Sequence, residues 1–529
     1  MINDFNELKN RDENQYDICI IGSGAAGISL AKEFTQTSLK VCLLEGGGAH
    51  FETTTQSLYD CDIVGLKHSV HDNRARVFGG TTTLWAGQAS CFDDFDFQRR
   101  DWVSNSGWPI TRRDLEPFYV RAAQVMKIDN VTYDTLSWPA SETKPPQYDS
   151  SKLRFVFSQF TAIPDFRQMY GKELQAAENV HVFLHANVVA LETSGNSVEK
   201  AEVKTLEGKT GFVKAKYFII CCGTIDTARL LLNSKKHNSK GLGNDHDLVG
   251  RYFQDHVHML SVPIAPQNKS QFQKLFNPRY VTLGKNKVKY HPKIATTFAL
   301  QQEKKILNIA GDISYEIDDQ SPVESAKVIV HSLRRKDLRP QIPKALLNIM
   351  KGPHKLIEAT LKYFLLDQPL SQTAGTPFLG IQCENEPNSE SRVSLSESKD
   401  ALGMPRVRLK WQMTGLEKKS IETFVETVAQ EFQRLGIAHL DPKKLTLPDD
   451  PAKFDLKMKD ASHHLGTTRM SQDPKTGVVD ANCRVHGIEN LYVGSCSVFP
   501  TGGFSNPTFN MLALCLRMAD QLKQRLAGS

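Results

Sequence analysis

The first regular pattern along the chain is an apolar strand, a tight glycine turn and an amphipathic helix. Apolar positions dominate residues 16–21, the segment GSGAAG follows at 22–27, and helical spacing continues through Phe34. A second apolar run, Val41–Leu44, ends at Glu45. This order predicts a βαβ unit that binds a dinucleotide.

The residues of this unit have separate predicted roles. Gly22 makes the turn, Gly24 lets a pyrophosphate approach the backbone, and Gly27 lets the helix pack close to the sheet. The first helical turn, which includes Ala26, offers free N–H groups and the positive end of the helix dipole to phosphates. The Glu45 carboxylate lies about 20 residues beyond the turn, where it accepts hydrogen bonds from ribose hydroxyls.

A second glycine-rich stretch, RVFGGTTTLWAG at residues 76–87, combines small residues, hydroxyls and one large aromatic. One interpretation is a loop whose backbone presses against a flat ring, and the simpler one is a turn-rich loop. The cofactor-binding candidates in this stretch are Arg76, Gly79, Gly80, Thr83, Trp85, Ala86 and Gly87.

Later patterns predict a discontinuous first domain and an antiparallel second one. Residues 182–191 and 216–222 are expected strands, and a helix at 227–232 returns the chain to the first sheet. From about residue 253 to 447, alternating stretches such as 392–395 and 406–411 favour an antiparallel sheet with one covered face. We therefore predict an α/β fold with a nucleotide-binding domain (1–100, 151–252 and 455–529) and a substrate domain (101–150 and 253–454).

Composition narrows the class of protein. The 529 residues include 65 basic and 59 acidic side chains, for a net charge of +6, with no basic stripe interleaved with aromatics, so nucleic acid is not an expected partner. The 10 cysteines have no paired CxxC spacing, so no metal site is predicted. The polar first 15 residues lack the pattern of a secretory signal, which favours a cytoplasmic location.

A basic segment at residues 327–366 has two interpretations. Its cations alternate with Leu, Ile, Val and Phe, as in an interfacial helix pair that contacts a membrane surface. The alternative is a solvated helical insertion that packs on the protein's own surface. The cations are Lys327, Arg334, Arg335, Lys336, Arg339, Lys344, Lys351, Lys355 and Lys362.

The C-terminal segment carries several ordered motifs. They are HHLGTTRM at 463–470, GVVD at 477–480, RVHG at 484–487, NLYVGS at 490–495 and SVFPTGG at 497–503, followed by Asn506-Pro507 and a final helix. With the βαβ unit and the Gly79-Gly80 loop, they make the chain resemble the glucose-methanol-choline (GMC) oxidoreductase family over essentially its full length. The resemblance is strongest to the branch of pyranose 2-oxidase and the flavoprotein subunits of bacterial sugar dehydrogenases.

This resemblance implies an FAD-dependent oxidoreductase that oxidises a CH–OH group of a sugar, glycoside or polyol by hydride transfer to flavin N5. His463 matches the family's catalytic base, and Asn506 matches the partner before the last helix. An imidazole of pKa about 6.5 accepts the hydroxyl proton while an amide donor holds the oxygen. Further implied cofactor contacts are Val188, Gly494, Ser495, Asn506, Pro507 and Thr508.

Some positions depart from the family pattern. Leu84 stands where pyranose 2-oxidase has the histidine that links its flavin, so non-covalent FAD is expected. His464 falls where many members have proline, and Ser495 where many have aspartate. His256 and His486 are interpreted as hydrogen-bonded structural residues.

Several functional alternatives stay open from the sequence. The substrate is a sugar-type hydroxyl, or else a primary alcohol or a natural-product hydroxyl such as that of an aminoglycoside. A flavin-bearing lyase shares the fold and forms a different class. Oxygen or an electron carrier reoxidises the flavin, and a small partner subunit of an electron-transfer complex is a further hypothesis.

Overall fold

The structure is a computed structural model in which the chain forms three sheets and twelve helices over the described residues. The α/β fold class predicted from the sequence is confirmed. The described residues are 1–8, 15–71, 73–130, 132–138, 144–236, 238–283, 286–315, 321–335, 342–366, 375–450 and 459–527.

The strands at the centre of the first sheet are parallel and have the order β1-β7-β3-β2-β10. β9 pairs antiparallel with β10, and β8 pairs antiparallel with β9. β20 pairs in parallel with β10. Its central strands are buried on both faces, which explains their continuous apolar runs. The strands are β1 (Ile2–Asp4), β2 (Gln15–Ile21), β3 (Val41–Leu44), β7 (Val180–Leu184), β8 (Asn187–Ser194), β9 (Ser197–Lys204), β10 (Thr210–Ile220) and β20 (Leu491–Val493).

The predicted strand over residues 182–191 is wrong in one respect. The chain forms two strands of the same sheet, β7 and β8, which are separated at His185 and Ala186. His185 has a left-handed φ of 55°, and its ring lies 2.6 Å from Asp4 and 3.0 Å from Glu52. These contacts and the local turn break the run of apolar residues that suggested one strand.

The second sheet is antiparallel and has the order β18-β11-β15-β14-β13-β6-β5, with β12 beside β13 and β19 beside β11. It is the covered antiparallel sheet expected for the substrate side of the protein. The strands are β5 (Gln88–Ala89), β6 (Leu153–Phe160), β11 (Val257–Pro266), β12 (Arg279–Leu283), β13 (Asn286–Thr296), β14 (Ile309–Tyr315), β15 (Pro377–Cys383), β18 (Ala438–Leu440) and β19 (Lys459–Asp460).

A third sheet has three strands. The alternating stretches at 392–395 and 406–411 lie in β16 (Arg392–Lys399) and β17 (Pro405–Trp411), which pair antiparallel with each other. β17 pairs in parallel with β4 (Cys61–Gly65) from the N-terminal part of the chain. Alternation predicts one covered face, and it does not specify which sheet supplies the neighbouring strand.

Twelve helices in the described residues cover and connect these sheets. They are α1 (Ala25–Phe34), α2 (Thr53–Gln56), α3 (Glu116–Met126), α4 (Phe166–Ala176), α5 (Gly223–Asn233), α6 (Lys269–Phe276), α7 (Phe298–Lys304), α8 (Pro322–Arg335), α9 (Ile342–Lys351), α10 (Pro353–Leu366), α11 (Leu416–Arg434) and α12 (Pro507–Ala527).

Two of the proposed domain boundaries conflict with the packing. β6 was placed in the nucleotide-binding domain by the boundary at residue 151, but it pairs with β13 in the antiparallel sheet. α3 was placed in the substrate domain, but it packs on α12, with the Tyr119 and Phe509 rings stacked at 5.5 Å. Strand pairing and apolar contacts therefore shift these two segments, while the rest of the division stays a proposal.

The basic segment at 327–366 falls mainly on α8, α9 and α10. Apolar side chains of α9 and α10 are exposed, namely Leu346, Leu347, Met350, Ile357 and Leu361. Lys327 pairs with Glu324 at 2.7 Å. Lys336 and Arg339 lie outside the described residues, as do the side chains of Arg334, Arg335 and Lys362. In the described part of the chain, no helix is long and apolar enough to cross a membrane.

Candidate active site

An elongated cavity of about 750 Å³ begins at the βαβ turn and extends to the antiparallel sheet. Most of the predicted site residues line it, so residues far apart in sequence meet in one space. Those lining residues are Gly22, Gly24, Ala26, Glu45, Arg76, Gly80, Trp85, Ala86, Gly87, Val188, His463, Gly494, Ser495, Asn506, Pro507 and Thr508.

The three remaining candidates, Gly27, Gly79 and Thr83, support this wall from behind. A Cβ on Gly27 would lie 1.8 Å from the Gly22 carbonyl oxygen, so only glycine lets α1 start so close to the turn. The Gly79 N–H donates to Ser23 Oγ at 3.3 Å, and Thr83 Oγ1 donates to the Gly80 carbonyl at 2.9 Å.

The two glycine-rich loops touch each other. Gly80 has a left-handed φ of 53°, and a Cβ there would lie 2.8 Å from the Gly24 Cα. A Cβ on Gly24 itself would meet nothing within 4 Å, because this position faces the open cavity. The loops therefore form one continuous surface that a flat or phosphorylated group can approach.

Glu45 is held rigidly at the carboxyl end of β3. Its carboxylate accepts hydrogen bonds from Ser23 Oγ at 2.6 Å, from the Ser23 N–H at 3.1 Å and from the Gly47 N–H at 2.8 Å. Burial raises the pKa of Glu45, and these hydrogen bonds oppose that shift. The acid is thus oriented at the place where a ribose is bound in a dinucleotide fold.

A cluster of charges beside Arg76 was not found from the sequence. Arg74 pairs with Asp226 at 2.5 Å, and the Arg76 guanidinium donates to Asn187 Oδ1 at 2.8 Å. The Arg76 Nε is buried and has no hydrogen-bond partner among the described residues. Since Asp226 and Asn187 come from α5 and β8, no local motif links them to the loop of Arg76.

These observations test the fit of FAD. The α1 N-terminus and Gly24 face open space, Glu45 is positioned as a ribose acceptor, and the Arg76 Nε is an unused donor in the wall. The cavity then continues past Trp85 to His463. The donor set and the elongated space match a dinucleotide with a ring system at its far end.

His463 and Asn506 meet at this far end. Asn506 Nδ2 lies 2.9 Å from His463 Nε2, with the amide as donor, and the Asn506 Oδ1 has no partner among the described residues. Burial lowers the pKa of His463 well below its usual value, and the charges of His256, Lys293 and His258 lower it further. The imidazole is therefore neutral at pH 7.

His256, which we interpreted as a structural histidine, contacts His463 directly. Its Nε2 lies 2.8 Å from the Gly503 carbonyl oxygen, and its Nδ1 lies 2.9 Å from the His463 Nδ1. Because a carbonyl only accepts, the proton of neutral His256 is on Nε2, and its Nδ1 accepts from His463 Nδ1–H. The lone pair of His463 is consequently on Nε2, at the cavity.

The backbone at His463 is anchored by a buried carboxylate. Asp255 accepts a hydrogen bond from the backbone N–H of His463 at 2.8 Å, and its Oδ2 lies 2.9 Å from His68 Nε2. The same Oδ2 lies 3.7 Å from His464 Nε2. Residues of these types ligate metals elsewhere, but the short His68–Asp255 contact is that of a hydrogen bond. His464 therefore contributes to packing beside the site, where its ring lies 4.9 Å from that of His68.

Other predicted positions have clear surroundings. A Cβ on Gly494 would lie 3.0 Å from Cys221 Sγ, and Ser495 Oγ accepts from the Ser497 N–H at 3.1 Å. Leu84 lines the cavity. His486 lies 3.0 Å from the Ser471 carbonyl oxygen, as expected of a structural histidine.

Comparisons with known proteins show which proteins the chain resembles. The family model described as "GMC oxidoreductase" matches residues 387–515. The chain is 23% identical to 6'''-hydroxyparomomycin C oxidase of Streptomyces lividus, over 97% of this chain and 92% of that protein. It is 21% identical to the fructose dehydrogenase large subunit of Gluconobacter japonicus, over 96% of this chain and 97% of that protein.

Solved structures share the fold. Pyridoxine 4-oxidase from Mesorbium loti aligns with a TM-score of 0.54 at 17% identity, over 96% of this chain and 99% of that one. An FAD-dependent oxidoreductase from Chaetomium thermophilum aligns with a TM-score of 0.58 at 16% identity, over 97% of this chain and 100% of that one.

The fold, the cavity and the C-terminal motifs together define a flavoprotein oxidoreductase. Residues 387–515 match the GMC oxidoreductase family model, and oxidases and dehydrogenases align with nearly the whole chain at 21–23% identity. The chain is an FAD-dependent enzyme that oxidises hydroxyl groups, and pyranose 2-oxidase is among its relatives, as the sequence resemblance predicts.

Proposed function

We propose that the enzyme oxidises a CH–OH group of a sugar, glycoside or polyol at the His463–Asn506 pair. The observation that carries this proposal is the contact of 2.9 Å between the Asn506 amide and the His463 Nε2, at the cavity end next to the antiparallel sheet. Bound FAD supplies the hydride acceptor, at flavin N5, while the residues of the chain bind the alcohol and manage its proton.

His463 acts as the base in this proposal. The substrate hydroxyl replaces the Asn506 amide as the donor to the Nε2 lone pair, which then takes up the hydroxyl proton. The Nδ1–H stays bonded to His256, so the ring does not turn as it takes up charge. The Asn506 amide N–H donates to the substrate oxygen and stabilises the negative charge that develops as the proton leaves. The low pKa of His463 keeps the base unprotonated before substrate binds.

The relatives favour a small polyhydroxylated substrate. By their names, they include oxidases of hydroxyparomomycin C and paromamine, a dehydrogenase of 2-methyl-1,2-propanediol and a fructose dehydrogenase subunit. These compounds all present hydroxyl groups, and several are sugars or aminoglycosides. Oxidation of a primary or aminoglycoside hydroxyl uses the same pair of residues and is the second candidate.

The test is anaerobic absorbance of the bound flavin against sugars, glycosides, polyols, an aminoglycoside and simple alcohols. One class is expected to bleach the flavin, and His463→Ala is expected to slow the bleaching by about 10²–10⁴-fold at unchanged FAD content. His486→Ala is the matched control, because His486 binds the Ser471 carbonyl away from the cavity. A flavin that no alcohol reduces would favour a lyase instead.

Non-covalent attachment of FAD is part of the proposal. Leu84 lines the cavity, and an aliphatic side chain forms no bond to flavin. Acid precipitation of the protein should therefore leave the yellow colour in the supernatant. Colour in the pellet would contradict non-covalent binding.

Two proposals concern the surroundings of the enzyme. All 10 cysteines are unpaired, which supports a reducing, cytoplasmic location.

The exposed apolar residues of α9 and α10, with Met350 at 77% exposure, support peripheral membrane contact through residues 327–366. Co-sedimentation with anionic vesicles tests this contact, and Leu346→Ser with Met350→Ser should abolish it. Packing on the protein's own surface predicts no co-sedimentation.

The electron acceptor stays part of the proposal as oxygen or a carrier, with or without a small partner subunit. Stopped-flow mixing of the reduced enzyme with oxygen and then with a quinone separates an oxidase from a dehydrogenase. Fast reoxidation by oxygen alone would exclude the need for a carrier or a partner subunit.

A further inference from the structure

The substrate end of the cavity is built on one face of the antiparallel sheet. His258 pairs directly with Gln382, and both line the cavity. Gln88, which also lines it, lies at the other edge of the sheet, opposite Phe160. Residues paired across strands point to the same face, so these three residues mark the face that looks into the cavity.

Lys293 lies in the middle of this face. Gln382 pairs with Ala310 of β14, Ala310 pairs with Ala295 of β13, and Lys293 is two residues before Ala295 on the same side. The neighbours toward the binding centre are small, namely Ala295, Ala310 and Gly380. Ala295 and Ala310 pack with Val156 and Phe504 in a small buried cluster, and Lys293, which pairs with Val156, lies beside it.

Lys293 is buried without a partner for its charge. Its exposure is 5%, and among the described residues no side chain forms a hydrogen bond or a salt bridge with its Nζ. The Nζ lies 6.0 Å from the centre of the Phe504 ring, and its charge reaches His463. Burial lowers the pKa of Lys293, and the charge of Asp312 opposes that shift. A buried ammonium without hydrogen bonds is costly unless a ligand supplies them.

The other charges on this face leave an excess of positive charge. Asp312 Oδ2 lies 3.3 Å from His291 Nε2 and accepts a hydrogen bond from Ser314 Oγ at 3.2 Å. Burial lowers the pKa of His291 to about 4, so this ring is neutral. Lys289, on the same face, lies over the Phe160 ring at 4.2 Å. Two lysines thus face one aspartate.

We propose that Lys293 is an anion-binding subsite, which holds a carboxylate or phosphate group of the substrate whose hydroxyl reaches His463. The inference rests on the proposed function and narrows it to an acidic hydroxy compound, such as a sugar acid or a sugar phosphate. A charge-assisted hydrogen bond from the ammonium to the anion replaces the contacts that the lysine lacks. Such a bond also orients the substrate relative to the base.

Binding to the holoenzyme tests the subsite without requiring turnover. The probes are glucose, glucuronate and glucose 6-phosphate, which differ only at C6, and the signal is the perturbation of the flavin absorbance. We expect glucuronate or glucose 6-phosphate to bind at least about tenfold more tightly than glucose. The anion that binds better identifies a carboxylate or a phosphate ligand.

Matched variants assign the preference to the lysine. Lys293→Met should remove the tenfold preference at unchanged FAD content, while Lys293→Arg should retain most of the preference. Lys289→Met, four residues earlier on the same strand, is the control and should keep the preference. Equal or absent binding of all three probes to the wild type, or an unchanged preference in Lys293→Met, overturns the proposal.

The outcome is separable from the proposed function. If neutral sugars reduce the flavin and acidic analogues show no advantage, the anion subsite fails and the oxidation stands. If no hydroxyl compound in the panel reduces the flavin, the proposed function fails. The subsite is then still tested by whether the acidic probes bind more tightly than glucose.

Discussion

The two ends of the cavity are built in different ways. At the nucleotide end, backbone and glycines make the surface, and the Gly22–Gly27 turn and the Gly79-Gly80 loop pack against each other. At the substrate end, side chains from separate strands and from the C-terminal segment make the surface, among them His258, Gln382, His463 and Asn506, and His256 lies behind His463. Backbone shape determines the first end, and proton and charge placement determine the second.

The largest expected effect breaks the nucleotide end. Gly27→Val places its Cβ 1.8 Å from the Gly22 carbonyl oxygen, so the turn has to open. We expect purified protein with almost no FAD, measured as the ratio of flavin to protein absorbance. Gly171→Ala is the control, because its Cβ meets only ordinary contacts at 3.6 Å. Full FAD content in Gly27→Val would contradict the packing argument.

The next effect concerns the substrate end alone. Asn506→Ala removes the donor 2.9 Å from His463 Nε2, and we expect the rate of anaerobic flavin reduction to fall by about 10²–10³-fold. FAD content should not change by the same factor. Asn482→Ala, which loses partly buried contacts to Arg517 and Gln521 outside the cavity, is the control. A wild-type rate in Asn506→Ala would exclude the amide from the reaction.

A smaller effect separates positioning from packing. His256→Leu removes the acceptor of His463 Nδ1–H, so the base is no longer restricted to one tautomer, and we expect a fall of about 10–100-fold in the reduction rate. His256→Gln has an oxygen to accept from His463 and an N–H to donate to Gly503, and it should recover most of the rate. Equal loss in both variants, with an unchanged pH profile, would indicate a purely structural role.

The mildest test is the pH profile of flavin reduction. The base is active when neutral, and the pKa of His463 is lowered below its usual value by burial and by nearby positive charge. The rate should therefore be constant from pH 7 to 8 and should fall only on the acidic side of about pH 6.5. In His256→Leu this acidic limb should shift. A limb above pH 7 in the wild type would mean that another group controls the reaction.

The contrast between the two ends also explains what the sequence could predict. Gly22, Gly24 and Gly27 lie in one local motif whose geometry follows from their spacing, and His463 and Asn506 were found through motifs of a recognisable family. In the structure Gly22, Gly24, His463 and Asn506 line one cavity, and Gly27 lies behind its wall.

What the sequence did not predict depends on distant partners. The role of His256 follows from the Gly503 carbonyl, which lies 247 residues away along the chain. Lys293 was not a candidate because its neighbours, Val156 of β6, Asp312 of β14 and Phe504 of the C-terminal segment, come from distant parts of the chain. Likewise, β17 shows the alternation of a strand, but its pairing with β4 across the chain has no local signal.

The contact between Gly80 and Gly24 has a consequence for exchanging parts among such enzymes. A Cβ at position 80 would lie 2.8 Å from the Gly24 Cα, so the shape of each loop depends on the other loop. A chimaera that transplants only the first 50 residues would combine a turn with a foreign loop. The smallest transferable piece that preserves this surface therefore extends from the N-terminus to at least residue 87.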